Sequence, residues 1–565
     1  MNMGLFHHGR GRGFAVLCFA MVLACNRHKE VPKRREIVEQ PKELSAKTAD
    51  NIRVALTFAQ DNGGKINDSI TIDHLDVLKN WYEAHQYAST WVHPPAGSPL
   101  ADSLYAYLEK SMYEGLFPAD YHGRQLAATR DRLARNSFDE KDAVLWSLED
   151  LMLTDAFVGI AHDLCFGRLP RDSTTLRKDS LFTPAKYLSF LDTVFKGSLP
   201  VSGLFSSLEP GLRGYESLKA ALGHFLDSTT FRVFTPVDYP NKDALDFQRQ
   251  LLTRFKEQGL FPDTVPIPDD SVKWASMIKV AQKANGLKPD GLAGPVLVKA
   301  LNLTDDQRFR IAALNLDRYK LLPDSTIMPR EYIWVNLPGF YLQVWRNDSL
   351  QFQSKVIVGH AVTRTPVLTS RLSDFITYPV WTVPESIIFK EMLTKIQKNV
   401  GWLASENLVV VDDRDSIVDP LVLPWKKYNK HNFPWRLRQL EGNDNSLGVI
   451  KFNFPNKYSV YLHDTNERDL FAKNSRDLSH GCVRVQDWRK LAGYLTRLDS
   501  SRYPPDSVKA WIARSEKHTV YFKDHVPLFI RYYTADGVDG RLVFYDDIYG
   551  DDDYLLNKYF KRPIR

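Results

Sequence analysis

Residues 479–484 read Ser-His-Gly-Cys-Val-Arg, and a second histidine, His463, stands nineteen positions before Cys482. A cysteine attacks an acyl carbon as its thiolate, and an ordinary thiol is mostly protonated at neutral pH. An imidazole nearby can take that proton and later return it to a leaving amine. Gly481 lacks a side chain, so the backbone beside the sulfur can be approached closely, and its N–H can help to form an oxyanion hole. The same residue types also occur as ordinary buried groups, so the longer pattern has to decide.

That longer pattern resembles a known family signature. His463, fifteen intervening residues and then Ser-His-Gly-Cys-Val-Arg are similar to the signature of L,D-transpeptidases with a YkuD-type catalytic domain. The resemblance implies that Cys482 is the nucleophile and His463 the proton donor and acceptor. It implies attack on the diamino acid at position three of a peptidoglycan stem, loss of the terminal D-Ala, and transfer to a second stem as a 3→3 cross-link. Carbapenem-type inhibitors are expected to acylate Cys482.

The residues around the nucleophile have expected roles as well. His480 lies two positions before the sulfur, and i and i+2 share a face in an extended segment, so the spacing leaves it as a rival base. The resemblance gives His480 a structural or substrate-contacting role. Ser479 is expected to brace the loop, and the Arg484 guanidinium either contacts a substrate carboxylate or anchors the loop. Asp464 adjoins His463 and is a poor orienter, because neighbours on a strand point to opposite faces.

Length and composition describe a large packed protein. At 565 residues the chain is expected to hold about three or four domains. Hydrophobic residues make up 44% and aromatic residues 12%. The net charge of +6 is modest and no basic stripe with interleaved aromatics occurs, so nucleic-acid binding is not expected. No metal or other cofactor is expected, since the sequence has no HExxH motif or Cys/His cluster at ligand spacing.

The N-terminus is typical of an export signal. An apolar run over residues 14–23 follows two arginines and is too short to span a bilayer. It ends in Leu-Ala-Cys25, which resembles a bacterial lipoprotein box and implies lipidation of Cys25. The alternative is plain cleavage with Cys25 incidental. The expected location is therefore the cell envelope, periplasm-facing, with a lipid anchor and a flexible tether over residues 26–47.

The rest of the chain predicts a multidomain α+β protein. Helical spacing and Pro/Gly punctuation fill the first half, and β-branched and aromatic strand patterns begin at Tyr332. Cys165 falls in a helical apolar pattern and is expected to be a buried core residue. The expected parts, in order, are a signal (1–25), the tether (26–47), a helical scaffold (48–240), a three-helix unit similar to peptidoglycan-binding domains (241–305), a linking helix (306–330), a mainly β catalytic domain (331–550) with a helical, aromatic capping insertion (389–440), and a C-terminal tail (551–565).

Three questions stay open at the level of sequence. The 241–305 unit either binds peptidoglycan or only packs against the catalytic domain. The capping insertion either covers the substrate cleft or is an ordinary packed insertion. The acceptor is an amine, water or a protein, which separates a transpeptidase from an L,D-carboxypeptidase or a protein-attachment enzyme. A non-catalytic wall-binding lipoprotein is the alternative of another class, and the intact Cys482 and His463 argue against it.

Overall fold

The computed structural model describes residues 30–172, 174–176, 183–322 and 328–561. The predicted signal, with Cys25 and its proposed lipid, lies outside the described residues. Within the described ranges, no helix combines the length and the apolar character that crossing a membrane requires.

An N-terminal helical domain is built around one long buried helix. Its helices are α1 (Pro41–Asp61), α2 (Leu75–Ala84), α3 (Pro99–Glu109), α4 (Gly123–Arg135), α5 (Ala143–Cys165), α6 (Pro184–Phe195), α7 (Val201–Leu208) and α8 (Arg213–Ser228). Helix α5 is buried around most of its surface, including the charged residues Glu149, Asp150 and Asp155, so it is enclosed by its neighbours. The Asp142 side chain caps it by accepting from the Val144 N–H. The predicted helical scaffold is confirmed.

Two predictions about this domain are wrong in part. The predicted tether (26–47) is too long, because α1 begins at Pro41 and the Val38 N–H donates to the carbonyl of Lys141 at 2.9 Å. Val38 is buried, so this charged segment also supplies apolar side chains to the core. Cys165 is only partly buried, because it is the last residue of α5, where the helix leaves the core.

A small helical unit follows, made of α9 (Ala244–Glu257), α10 (Ser271–Ala284) and α11 (Pro295–Asn302). Its apolar core includes Phe255, Trp274 and Leu301. Gly286 lies just beyond α10 with φ at 72°, the left-handed conformation of a helix C-terminus. Helix α12 (Asp305–Tyr319) then begins with a capping box between Thr304 and Gln307. It corresponds to the predicted linking helix but is shorter.

The C-terminal half is built on a closed β-sheet. Its strands are β1 (Glu331–Asn336), β2 (Tyr341–Arg346), β3 (Ser349–Gly359), β4 (Leu368–Thr377), β9 (Ile450–Asn453), β10 (Leu462–His463), β11 (Asp477–Ser479), β12 (Val483–Val485) and β13 (Thr519–Arg531). An insertion between β4 and β9 carries β5 (Trp381–Thr382), β6 (Leu408–Val411), β7 (Ile417–Val418) and β8 (Arg436–Gln439). The order is β11-β3-β12-β10-β9-β4-β13-β1-β2, and β2 pairs back to β3. The sheet therefore closes into a barrel, and the predicted mainly β domain is confirmed.

The insertion is more than a set of helices. It carries the short helices α13 (Glu385–Ile387), α14 (Leu393–Lys398) and α15 (Trp402–Ser405), with a π-helical turn at Ile388–Met392. Strands β5, β8, β6 and β7 form its own antiparallel sheet in that order. The run Leu-Val-Val-Val of β6 is rich in β-branched residues, which favour a strand. The predicted helical, aromatic insertion does not include this sheet.

The scaffold and the barrel share one apolar core. Aromatic side chains from the scaffold, from α12 and from the barrel meet there, including Phe117, Tyr319, Trp334, Phe529 and Tyr533. Helices α16 (Trp488–Thr496) and α17 (Ser507–Ala513) flank the barrel and pack on its own core. The last elements, β14 (Ala535–Val538), β15 (Arg541–Phe544) and α18 (Asp551–Tyr559), add side chains to the shared core.

The predicted C-terminal tail (551–565) is therefore wrong over its first nine residues, which form α18. The Arg318 guanidinium of α12 donates to the Asp552 carboxylate of α18 at 2.7 Å. Phe560 is buried in the shared core. The run of three aspartates at 551–553 reads as a polar tail in sequence, but acidic residues are also favoured in the first turn of a helix.

Candidate active site

Five side chains meet on one face of the barrel sheet. Strand β10 pairs parallel with β12, so that His463 lies opposite Arg484, and antiparallel with β9, so that His463 also lies opposite Lys451. The Val483 N–H donates to the carbonyl of Tyr461 at 3.0 Å, which extends the β10–β12 pairing by one residue. Alternation along each strand then puts Tyr461 and Cys482 on the same face as these three. The intervening Phe452, Leu462 and Val483 point into the barrel core.

Cys482 is a half-buried free thiol that contacts Tyr461. The Tyr461 side chain hydrogen-bonds this thiol, and the Lys451 ammonium lies 4.2 Å from the centre of the Tyr461 ring. Burial raises the pKa of the Cys482 thiol, while the hydrogen bonds from Tyr461 and the positive charges of Lys451 and Arg484 lower it. These three side chains therefore favour the thiolate in a site that otherwise disfavours it.

His463 is a diagonal neighbour of Cys482 on the same face, at a spacing that long side chains bridge in β-sheets. Its side chain is 4% exposed. Burial lowers the pKa of His463 to about 3, and the positive charges of Arg484 and Lys451 act in the same direction. The imidazole is thus neutral at physiological pH, which is the form that accepts a proton. Where the structure describes the chain, Nδ1 of His463 has no hydrogen-bond partner.

Asp464 does not orient His463, in agreement with the expectation from strand alternation. Its buried carboxylate accepts from the Val449 N–H at 3.0 Å and pairs with the Arg468 guanidinium at 2.5 Å. Backbone groups of Asp464 and Leu447 raise the pKa of His463 and so favour its protonated form. Neither of them forms a hydrogen bond with Nδ1 of the ring.

Ser479 braces the nucleophile loop. Its hydroxyl donates to the carbonyl of Cys482 at 2.6 Å and accepts from the Gly481 N–H at 3.1 Å. Gly481 has φ at 117°, a conformation that L side chains rarely adopt, so a glycine is required there. Its N–H donates to Ser479, and the oxyanion role of Gly481 stays a prediction.

The two remaining predicted site residues pair with glutamates. The Arg484 guanidinium donates to Glu467 at 2.6 Å, which corresponds to the anchoring alternative. Nε2 of His480 lies 2.5 Å from Oε1 of Glu391, in the π-helical turn of the insertion. Both side chains of this second pair are partly exposed, at 42% and 44%.

The insertion contacts the site at two points. Trp381, in β5, hydrogen-bonds the Tyr461 side chain, and Glu391 bonds His480. One contact is beside the thiol and the other is on the loop that carries it. The insertion therefore contacts both the neighbour of the Cys482 thiol and the loop that carries Cys482.

Sequence reasoning missed Tyr461, Lys451 and Glu391 as site residues. The alternation of β10 was a usable signal for Tyr461, because residues two apart share a face and His463 was already identified. Lys451 and Glu391 have no such local signal, since a strand pairing and a separate subdomain bring them to the site. Geometrically, this is a candidate cysteine-nucleophile site on a closed sheet.

Comparison with known proteins identifies the two main domains. The family model of the L,D-transpeptidase catalytic domain (YkuD) matches residues 330–519, and that of the Scaffold domain matches residues 76–222. A Haemophilus influenzae protein named "Putative L,D-transpeptidase" is 35% identical over 240 residues, which cover 42% of this chain and 47% of that protein. The match thus spans about half the length of that relative. The chain contains a YkuD-type L,D-transpeptidase catalytic domain joined to a scaffold domain.

A solved structure titled "Structure of the Ldtfm-avibactam carbamoyl enzyme" also matches, with a TM-score of 0.15 and 12% identity. The match covers 39% of this chain and 61% of that one. At that score the likeness carries no argument about this protein.

Proposed function

We propose that the protein is an L,D-transpeptidase that forms 3→3 cross-links in peptidoglycan through a thioester on Cys482. The observation that carries the proposal is the shared sheet face of Cys482, Tyr461 and His463, which the insertion contacts at Tyr461. A thiol and a neutral imidazole on one sheet face are the nucleophile and the base that acyl transfer through a thioester requires. The match to the catalytic-domain model supports the same reading.

In the first half-reaction the Cys482 thiol gives its proton to His463, and the sulfur attacks the carbonyl of the stem diamino acid. The C–S bond forms, the C–N bond to the terminal D-Ala breaks, and the leaving amine takes the proton from His463. In the second half-reaction the side-chain amine of another stem forms a C–N bond at the same carbon and loses one proton. The C–S bond breaks, and the departing thiolate of Cys482 regains one proton to restore the thiol.

Mass spectrometry of the purified protein incubated with a stem tetrapeptide tests this proposal. We expect an acyl-enzyme on wild type, none on Cys482→Ala, and a cross-linked dimer as the main product. A hydrolysed tripeptide as the sole product would instead identify an L,D-carboxypeptidase, and transfer to an added protein would identify an attachment enzyme. If wild type forms no acyl-enzyme with either the tetrapeptide or a carbapenem, the catalytic proposal fails and the wall-binding alternative gains support.

We further propose that the protein is exported and lipid-anchored in the cell envelope through Cys25, facing the periplasm. The support is the apolar run that ends in Leu-Ala-Cys25. Replacing Cys25 by serine is expected to release the protein from membranes during fractionation. Unchanged fractionation of that variant would contradict the anchor.

We propose that the 241–305 unit helps to hold the enzyme on the wall. Val272 and Leu292 are 72% and 70% exposed and offer an apolar surface to a ligand. A packing role is also supported, because Lys299 pairs with Asp546 at 2.8 Å and Gly286 faces Val543 of β15. The double variant Val272→Ser and Leu292→Ser leaves the packing side intact. Weaker sedimentation of this variant with sacculi would favour wall binding. Unchanged sedimentation would mean that packing is the only role of the unit that remains supported.

A further inference from the structure

The two histidines beside Cys482 have opposite surroundings. His463 is 4% exposed and is enclosed by protein on the sheet face. His480, two residues before the nucleophile, is 42% exposed on the loop itself. A second substrate that arrives from solvent therefore meets His480 without displacing protein, whereas His463 is reached only from inside the site.

The contact with Glu391 fixes which nitrogen of His480 can act. A carboxylate accepts a hydrogen bond, so at 2.5 Å from Oε1 of Glu391 the Nε2 atom carries the proton. The lone pair of the neutral ring is then on Nδ1. Among the described residues, none makes a hydrogen bond to Nδ1 of His480, so this atom is available to a ligand. A carboxylate that holds one imidazole nitrogen while the other accepts a proton is an established arrangement for general bases.

Glu391 belongs to the insertion, not to the barrel. Its turn lies in the same unit as Trp381, which contacts Tyr461 beside the thiol. The insertion thus supplies the group that orients His480 at the open side of the cleft. The pair would form only when the insertion is in place against the loop that carries the nucleophile.

We propose that His480 is the catalytic base for the acceptor amine and that Glu391 is its positioning residue. This inference rests on the proposed transpeptidase function and divides the two half-reactions between two histidines. As the acceptor nitrogen forms its C–N bond to the thioester carbon, Nδ1 of His480 takes the proton from that nitrogen. The C–S bond breaks and Cys482 leaves as thiolate. The proton held by His480 then returns through solvent to the sulfur, which restores the thiol that begins the first half-reaction.

The test separates the two half-reactions on the full-length protein. Rapid-quench mass spectrometry follows acylation by a stem tetrapeptide and then discharge of the acyl-enzyme to an added diamino acid. We expect His480→Ala to acylate within about twofold of wild type and to discharge to the amine roughly 100-fold more slowly, the range of general base catalysis. Glu391→Gln should slow discharge by a smaller factor, roughly tenfold, since the imidazole remains.

Added imidazole separates a catalytic role of His480 from a structural one, because it can replace a missing base but cannot repair a misfolded loop. We expect it to restore part of the aminolysis rate in His480→Ala and to leave Glu391→Gln unchanged. The matched controls are His518→Ala and Glu516→Gln, which remove another partly exposed His–Glu pair with 3.0 Å between Nε2 and the carboxylate. Both controls should behave as wild type.

Two results would overturn the inference. One is an equal fall of acylation and aminolysis in His480→Ala, with the same outcome in His480→Gln as a check on folding. The other is aminolysis that is unchanged in His480→Ala. Failure of wild type to acylate at all would be a different result, because it would remove the proposed function itself.

Discussion

The hydroxyl of Tyr549 accepts a hydrogen bond from the backbone N–H of Thr365 at 3.0 Å, across 184 positions of sequence. The same hydroxyl donates to the carbonyl of Gly359 at 2.9 Å. Thr365 in turn donates through its own hydroxyl to the carbonyl of Gly481 at 2.8 Å. A tyrosine near the C-terminus thereby holds the segment that supports the glycine before the nucleophile.

Tyr549→Phe is therefore expected to weaken catalysis from a distance. The change leaves the Thr365 N–H and the Gly359 carbonyl without this buried partner, which costs about 1–3 kcal/mol per unsatisfied group. We expect a lower melting temperature and several-fold slower acylation by a carbapenem. Tyr554→Phe, at an exposed tyrosine of the neighbouring helix, is the control and should match wild type. Wild-type acylation by Tyr549→Phe would show that this support is dispensable.

Cys482→Ala is expected to abolish acylation by both the tetrapeptide and a carbapenem while the fold is kept. The variant removes one half-buried sulfur atom, which costs little compared with truncation of a large core side chain. Loss of covalent catalysis removes the acyl-enzyme route, so the activity should fall by several orders of magnitude. Circular dichroism and intact-protein mass spectrometry check the two halves of this expectation. Any 3→3 product from the variant would contradict the mechanism.

His463→Ala should slow acylation by roughly 10²–10⁴-fold, the range of a general base. A reactive β-lactam should still acylate slowly, because a small fraction of the thiol is ionised at neutral pH. The rate of carbapenem acylation, with folding verified, measures the effect. A larger loss of acylation in His480→Ala than in His463→Ala would reverse the assignment of the first base.

Lys451→Met should raise the pKa of the Cys482 thiol, because the nearby positive charge that favours the thiolate is removed. The pH dependence of iodoacetamide alkylation measures this, and its midpoint should move to higher pH. The matched control is Lys457→Met, which removes another lysine stacked on a tyrosine, at 5.2 Å from the Tyr458 ring. An unmoved midpoint in Lys451→Met would mean that the charge does not act on the sulfur.

Glu149 should make the scaffold less stable as pH rises. Burial raises the pKa of Glu149 to about 7, above its usual 4.5, and Tyr105 is its hydrogen-bond partner at 2.6 Å. The folded state therefore holds a proton between pH 4.5 and 7 that the unfolded state has lost, and stability falls across that window. Between pH 4.5 and 8, wild type should lose about 2–3 kcal/mol more of its free energy of unfolding than Glu149→Gln does. Calorimetry checks this, with exposed Glu109→Gln as the unchanged control.

The sequence predicted the parts of the fold that depend on local patterns. The helical first half and the strands that begin near Tyr332 follow from the spacing of apolar residues and from Pro/Gly punctuation. The nucleophile loop followed from one motif. The predictions for the tether and the tail are wrong for the same reason. The charged residues of both segments favour a solvent-exposed chain, but each segment also holds a buried apolar residue, Val38 in one and Phe560 in the other.

The rest of the site depends on contacts that no local pattern encodes. Lys451 reaches the site through the pairing of β9 with β10, and strand register is set by the whole barrel. Glu391 arrives from a subdomain inserted between two barrel strands. The hydrogen bond from the Gly481 N–H to the Ser479 hydroxyl depends on the conformation of the loop. The presence of glycine at this position therefore does not predict the direction of its N–H.

The apolar core that the scaffold and the barrel share limits which fragments of this protein can fold and stay soluble when they are expressed separately. A fragment beginning at residue 330 would carry Trp334, Phe529 and Tyr533 as bare aromatic surface, a known cause of aggregation. Family boundaries drawn along the chain thus differ from the smallest unit that can be expressed alone. A recombination event that exchanged one domain would have to bring the matching half of this surface with it, so scaffold and barrel are expected to be inherited as a pair.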